Sequence, residues 1–212
     1  MPKLVCYTSP ARGHLFPTMP ILIELRRRGH EVQVVTLRDE VTRVGAAGIP
    51  ARAMAGAVES IVMDDHGASS PPAALKRAMA VLGARAAHEV DDLTQVIRDE
   101  RPDALLVDFN TWGAAAVAEK SGLPWALFMP FLLPWRLPGL PPFGLGLAPR
   151  GDALGRARDF AVGKIVHGML NRSLSTFNEV RLRVGVEPIA HMTDMGRAAP
   201  LVLYYTAEPF EY

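Results

Sequence analysis

Two short segments of the chain carry side chains able to move a proton. Ser9-Pro-Ala-Arg-Gly-His14-Leu-Phe-Pro17 places a histidine just ahead of a predicted helix, and Val107-Asp108-Phe-Asn-Thr-Trp112 places an aspartate at the end of a predicted strand. Histidine titrates nearest neutrality, which makes His14 a candidate general base. An aspartate behind an imidazole fixes its tautomer and strengthens it as a base. Taken separately, each has a plainer reading: a loop histidine bonded to a backbone carbonyl, and an aspartate capping a helix that begins near Gly113. Ser9, His14 and Asp108 can also be drawn as a hydrolase triad, but the Gly-x-Ser-x-Gly elbow is missing. The first loop lacks the three glycines of a dinucleotide fingerprint and the Gly-Lys-Ser/Thr of a P-loop. Gly144-Leu-Gly146 follows a proline loop rather than a strand. His30, His66, His88, His167 and His191 show no metal-site spacing, and Asp64-Asp65 reads as a solvated acidic turn, so no metal is expected.

For His14 and Asp108 to meet, their loops must leave the same end of one sheet, and the order of elements allows it. Leu4 to Ser9 reads as a first strand, and Pro17 to Arg28 as a helix with Ile21, Leu22 and Leu25 inward and Gly29 as its stop. Glu31 to Thr36 alternates like a strand, Arg38 to Ala46 is a short helix, and Ala51 to Met54 a weak third strand. Ala73 to Glu100 is a long helix led by Pro71-Pro72, with Leu75, Met79, Leu82, Ala86, Val90, Leu93 and Ile97 recurring at spacings of three and four. Ala104 to Val107 is an unbroken apolar run of the kind buried on both faces of a parallel sheet. Gly113 to Ser121 reads as a helix, Pro124 to Met129 as a strand, Asp152 to Arg183 as helical with weak points at Gly163 and Gly168, and Leu201 to Thr206 as a last strand. The alternation predicts an α/β, Rossmann-like, mostly parallel sheet with helices on both faces. In such sheets ligands bind beyond the carboxyl ends of the strands.

Composition narrows the function further. The chain has 212 residues, 49% of them hydrophobic, a formal net charge of +1 and one cysteine, Cys6. Charge balance argues against a nucleic-acid partner, whose phosphates require a basic surplus. Cys6 alone makes no intramolecular disulfide, which fits a reducing cytoplasm, and no apolar run reaches the roughly 20 residues of a membrane span. From Pro130 to Arg150 the pattern gives way to an apolar loop with five prolines between 130 and 142, too constrained for helix or inner strand. Phe16, Met63, Trp112, Phe131, Leu133, Trp135 and Phe143 fall in or beside the predicted carboxyl-end loops. Core packing is the ordinary role for any one of them, whereas a cluster around His14 would form an apolar cleft.

The opening Ser9-Pro-Ala-Arg-Gly-His-Leu-Phe-Pro-Thr, followed by Ile-Glu-Leu-Arg-Arg-Arg-Gly-His-Glu-Val, resembles the family 1, GT-B glycosyltransferases that attach sugars to natural products and macrolides. Pro-Asp-Ala-Leu-Leu-Val-Asp108 with Trp112, Pro141-Pro-Phe-Gly-Leu-Gly-Leu-Ala-Pro-Arg150 and Leu203-Tyr-Tyr-Thr-Ala-Glu-Pro-Phe-Glu-Tyr212 agree in the same order. The resemblance implies that residues 1–212 form the N-terminal, acceptor-binding Rossmann-like domain of an inverting enzyme, with His14 as base and Asp108 as its partner. It implies no cofactor beyond a nucleotide sugar as co-substrate, and as partners an apolar, hydroxyl-bearing acceptor and a separate donor-binding domain. Neither a second glycine-rich, diphosphate-cradling segment nor a His-x-Gly-x-x-x acidic signature occurs in the sequence, so the C-terminal donor-binding domain is expected to be absent and the chain alone inactive. Tyr7, Arg12 and Asn110 are the residues nearest a donor contact. The alternative is a catalytically silent module that binds an apolar ligand or pairs with a separate donor-domain chain.

Overall fold

The computed structural model describes residues 1–131, 140–142 and 145–205. Six strands form one sheet in the order β3-β2-β1-β4-β5-β6, with every neighbouring pair parallel. They are β1 (Lys3–Tyr7), β2 (Glu31–Thr36), β3 (Ala51–Ala53), β4 (Ala104–Asp108), β5 (Trp125–Met129) and β6 (Val202–Tyr204). The helices are α1 (Arg12–Arg27), α2 (Val41–Ala46), α3 (Gly56–Glu59), α4 (Pro71–Glu100), α5 (Trp112–Lys120), α6 (Ala153–Leu170) and α7 (Leu174–Val184). Strand order reverses between β1 and β4, so the loops after these two strands diverge and leave a crevice between them.

Alternate strand residues feed two cores, as the pleat dictates. Val5, Tyr7, Val35, Leu105, Val107, Leu127 and Met129 face the larger core, which they share with Leu82, Ala86, Val90 and Leu93 of α4, Trp112 of α5 and Phe177 of α7. Cys6, Val32, Val34, Leu106, Ala126 and Phe128 face the other way, against Leu15 and Leu22 of α1 and Val44 of α2. Both sheet faces are covered, as the unbroken apolar strands require.

Two boundaries differ from the sequence reading in ways that matter. α1 begins at Arg12, not Pro17, and runs through Pro17 and Pro20. Each proline lacks the N–H that would bond four residues back, but burial of Leu15, Thr18 and Leu22 holds the helix continuous, and the Thr18 hydroxyl donates to the His14 carbonyl at 2.8 Å. His14 therefore lies in the first turn of a helix, not in a loop ahead of it. The helical stretch near the C-terminus breaks at Asn171–Ser173 and not at Gly163 or Gly168; there the Asn171 side chain accepts from the Met192 N–H at 3.0 Å. Among the described residues no helix is long and apolar enough to cross a membrane.

Candidate active site

The site grows from the pairing of β1 with β4, in which Tyr7 lies opposite Val107. The chain leaves β1 through Thr8, whose hydroxyl donates to the Val35 carbonyl at 3.1 Å, and Ser9, then enters α1. On β4, Asp108 points to the same sheet face as Leu106, the face that α1 covers. The first turn of α1 thus hangs directly over the end of β4.

Asp108 is fully buried yet receives donors from three directions. The Ser9 N–H donates at 3.0 Å and the Ser9 hydroxyl at 2.9 Å, the Asn110 N–H at 2.9 Å, and His14 Nδ1 lies 2.9 and 3.0 Å from the two carboxylate oxygens. A carboxylate only accepts, so Nδ1 carries the ring proton and Nε2 keeps its lone pair. The His14 side chain is 17% exposed, and Nε2 has the Asn110 amide nitrogen at 3.5 Å, the outer limit of a hydrogen bond. Chemically this is an oriented imidazole whose neutral form presents Nε2 as its basic nitrogen.

Of the aromatic residues proposed to line a cleft, the structure brings Phe131 to His14, with ring centroids 5.5 Å apart, and Phe109 packs edge-on to Phe131 at 5.9 Å. Trp112 does not join them. At 1% exposure it is a core side chain, edge-on to Phe177 at 5.3 Å, because the start of α5 is pressed between α4 and α7. Phe16 lies 39% exposed, with the Arg43 guanidinium over its ring at 5.4 Å. Met63 is half-buried against the larger core. Leu133, Trp135 and Phe143 lie outside the described residues.

The Ser9 hydroxyl bonds Asp108 and not His14, so no nucleophile triad is formed. Asp108 does not cap α5 with its side chain either: Thr111 occupies the cap position without a side-chain cap bond. Tyr7 is buried, its hydroxyl donating to Asp92 at 2.9 Å, and Arg12 is paired with Glu40. Among the described residues, no group of His, Cys, Asp and Glu could hold a metal ion.

Sequence reasoning missed a row of buried charged residues on α4. Arg85 donates from Nε to the Ile61 carbonyl at 2.7 Å. Glu89 accepts from the Gly113 N–H at 2.9 Å, and Asp92 accepts from Tyr7 and from the Ala55 N–H at 2.9 Å. Burial pushes the Glu89 carboxyl up to about 8, against the pull of the Gly113 N–H and of Arg85. Burial, with Glu89 and Asp92 nearby, likewise raises the Tyr7 phenol. The signal was present: 85, 89 and 92 follow the i, i+4, i+7 helical period and interleave with the apolar stripe.

The chain is 29% identical over 220 residues to 4'-demethylrebeccamycin synthase of Lentzea aerocolonigenes, an alignment covering 99% of this chain and 52% of that protein. It is 32% identical over 133 residues to elloramycin glycosyltransferase ElmGT of Streptomyces olivaceus, covering 58% and 35% respectively. Among solved structures, the glycotransferase of kitacinnamycin matches with a TM-score of 0.64 at 20% identity, over 96% of this chain and 46% of that one. No family model matches. The fold is an α/β, Rossmann-like one that matches about half of a GT-B neighbour. The chain is similar in sequence to these two proteins, and it spans about half the length of the first and about a third of the second.

Proposed function

We propose that this chain is the acceptor-binding half of an inverting glycosyltransferase that moves a sugar from a nucleotide-activated donor to a hydroxyl of an apolar natural product. The observation that carries the reading is the pairing of His14 Nδ1 with the buried Asp108, which leaves Nε2 free to take a proton. In the reaction the acceptor hydroxyl donates to Nε2. As its oxygen attacks the anomeric carbon from the face opposite the leaving group, the proton passes to Nε2, and Asp108 stabilises the imidazolium that forms. The nucleoside diphosphate leaves with the electron pair of the old glycosidic bond. Its charge would be met by a separate donor-binding half, for which backbone N–H groups at a helix N-terminus are the fitting device. Phe131, with Phe109 behind it, supplies apolar surface beside the imidazole for the acceptor ring system. A cytoplasmic setting accords with the single thiol, Cys6, which is buried and whose ionisation burial suppresses.

The test is to join this chain to the nucleotide-sugar-binding half of a relative and follow transfer to an apolar phenol or macrolactone. His14→Ala should lower kcat by roughly 10² to 10⁴ with nucleotide-sugar affinity nearly unchanged. Retention of the full rate would remove His14 from the mechanism. The 212-residue chain by itself should bind the apolar acceptor weakly and show no saturable binding of UDP- or TDP-sugars.

A further inference from the structure

We propose that Glu89 is a positioning residue for Asp108, acting from the opposite face of the sheet by holding the start of α5 and, through it, the turn that presents Asp108 to His14. The inference rests on reading His14 and Asp108 as the reacting pair. Residues 108–113 are tied at both ends. At one end the Thr111 N–H and hydroxyl donate to the Asp108 carbonyl at 3.0 and 2.7 Å, and the Asn110 N–H donates to the Asp108 carboxylate. At the other end the Gly113 N–H donates to Glu89 Oε2.

The attachment is close as well as polar. A Cβ on Gly113 would fall 1.8 Å from the Ala86 carbonyl oxygen and 3.0 Å from Glu89 Cβ, so only glycine lets α5 approach α4 near enough for the bond. The segment from Asp108 to Gly113 has little freedom left, and a shift of Gly113 is transmitted to Asp108.

Glu89 also faces Asp108 electrostatically. It is fully buried, and its second oxygen, Oε1, has no hydrogen-bond partner among the described residues. The groups acting on it are Arg85 of its own helix, Asp108 of β4, and the N–H groups of Gly113 and Ala114 of α5, and it in turn acts on Tyr7 of β1, which bonds Asp92. Burial first, and Asp108 with it, raise the Glu89 carboxyl to about 8 against Arg85 and the two N–H groups, so Glu89 carries its proton at neutral pH while Oε2 accepts from Gly113. Neutral Glu89 thus fixes the turn without placing another negative charge beside Asp108. When it ionises, that charge reaches Asp108 and, through it, the imidazole.

The experiment follows the His14 ring by NMR in the isotope-labelled 212-residue chain between about pH 5 and 10. In the native chain the His14 ring signals should show an inflection near pH 8 from Glu89. Glu89→Gln keeps an acceptor for Gly113 without a proton to lose, so that inflection should vanish while the ring signals at neutral pH stay as in the native chain. Glu89→Ala releases Gly113 and should move the His14 ring signals and the Asn110 and Thr111 amide signals at neutral pH as Asp108 loses its orientation. An inflection near pH 8 that is absent from the native chain or survives in Glu89→Gln would overturn the proposal, as would a folded Glu89→Ala chain whose His14 ring signals match the native ones. If Glu89→Ala does not fold, Glu89→Gln alone decides. None of these readouts involves sugar transfer, so failure here is separable from failure of the enzymatic reading, which His14→Ala tests by rate.

Discussion

The two faces of the sheet are built from alternating residues of the same strands, yet they do different work. Beneath α1 and α2 the buried set is Cys6, Leu15, Leu22, Val32, Val34, Val44, Ile49, Leu106, Ala126 and Phe128. Charges on α1 are mostly at its surface, where Glu24 pairs with Arg27 and Arg28. Beneath α4, α5 and α7 the core is larger and carries Arg85, Glu89 and Asp92 inside it. Arg85 clasps the segment after α3, Glu89 the first turn of α5 that follows β4, and Asp92 the segment after β3. The α1 face supplies His14 and packs it; the α4 face holds the surrounding segments in place. Burying charge is unfavourable unless it is bonded; on the α1 face the buried carboxylates Asp108 and Glu40 bond side chains of α1, whereas on the α4 face Glu89 and Asp92 accept from backbone N–H groups and Arg85 donates to a backbone carbonyl.

The sharpest way to break this comparison is chemical. In the chain joined to a donor-binding half, Asp108→Asn should reduce kcat by about 10² or more through the wrong imidazole tautomer, and by less than His14→Ala. An unchanged rate would mean that orientation of the imidazole contributes nothing.

Next in size come packing losses. Trp112→Ala should destabilise the fold by about 3–5 kcal/mol and Leu22→Ala by about 2–5 kcal/mol in urea unfolding. Only the former should also disturb Asp108, visible as altered amide signals of Asn110 and Thr111. Equal disturbance from both variants would erase the distinction between the faces.

Smaller again is the pH response. Glu89 has its folded value raised from 4.5 to about 8, so it stabilises the fold fully below about pH 4.5, and that contribution is lost as pH rises towards 8, because the unfolded chain releases the proton first. Thermal melts should therefore show Tm declining across this window, and Glu89→Gln should flatten the decline. A native profile no steeper than that of the variant would place the proton elsewhere. Smallest of all is Glu24→Gln. Arg27 and Arg28 hold the Glu24 carboxyl down to about 2, but the group is exposed and screened, and Tm should not move beyond experimental scatter.

Much of this architecture was legible because parallel strands announce themselves. Ala104 to Val107 and Glu31 to Thr36 are apolar or alternating runs set between helical periods, and the observed β4 and β2 contain them. His14 and Asp108 were legible as types at strand ends. What was hidden depended on tertiary packing. Pro17 and Pro20 argue locally against helix, yet α1 passes through them because Leu15, Thr18 and Leu22 are buried. Trp112 looked like a cleft residue because its neighbours in sequence belong to the site, whereas its own side chain turns to the opposite face. Ser9 as a donor to Asp108 could not be read at all, since that bond spans 99 residues.

The same separation bears on how the site comes into being during folding. His14 and Asp108 are 94 residues apart, and they meet only when β1 and β4 lie side by side with the long α4 crossover closed between them. Loop closure of that length is entropically unfavourable and slow to reward. The pairing of His14 with Asp108 is therefore complete only once that loop has closed. A nascent chain that has not yet extruded β4 leaves His14 without its carboxylate, and the imidazole acquires its orientation in the same event that joins the two halves of the sheet.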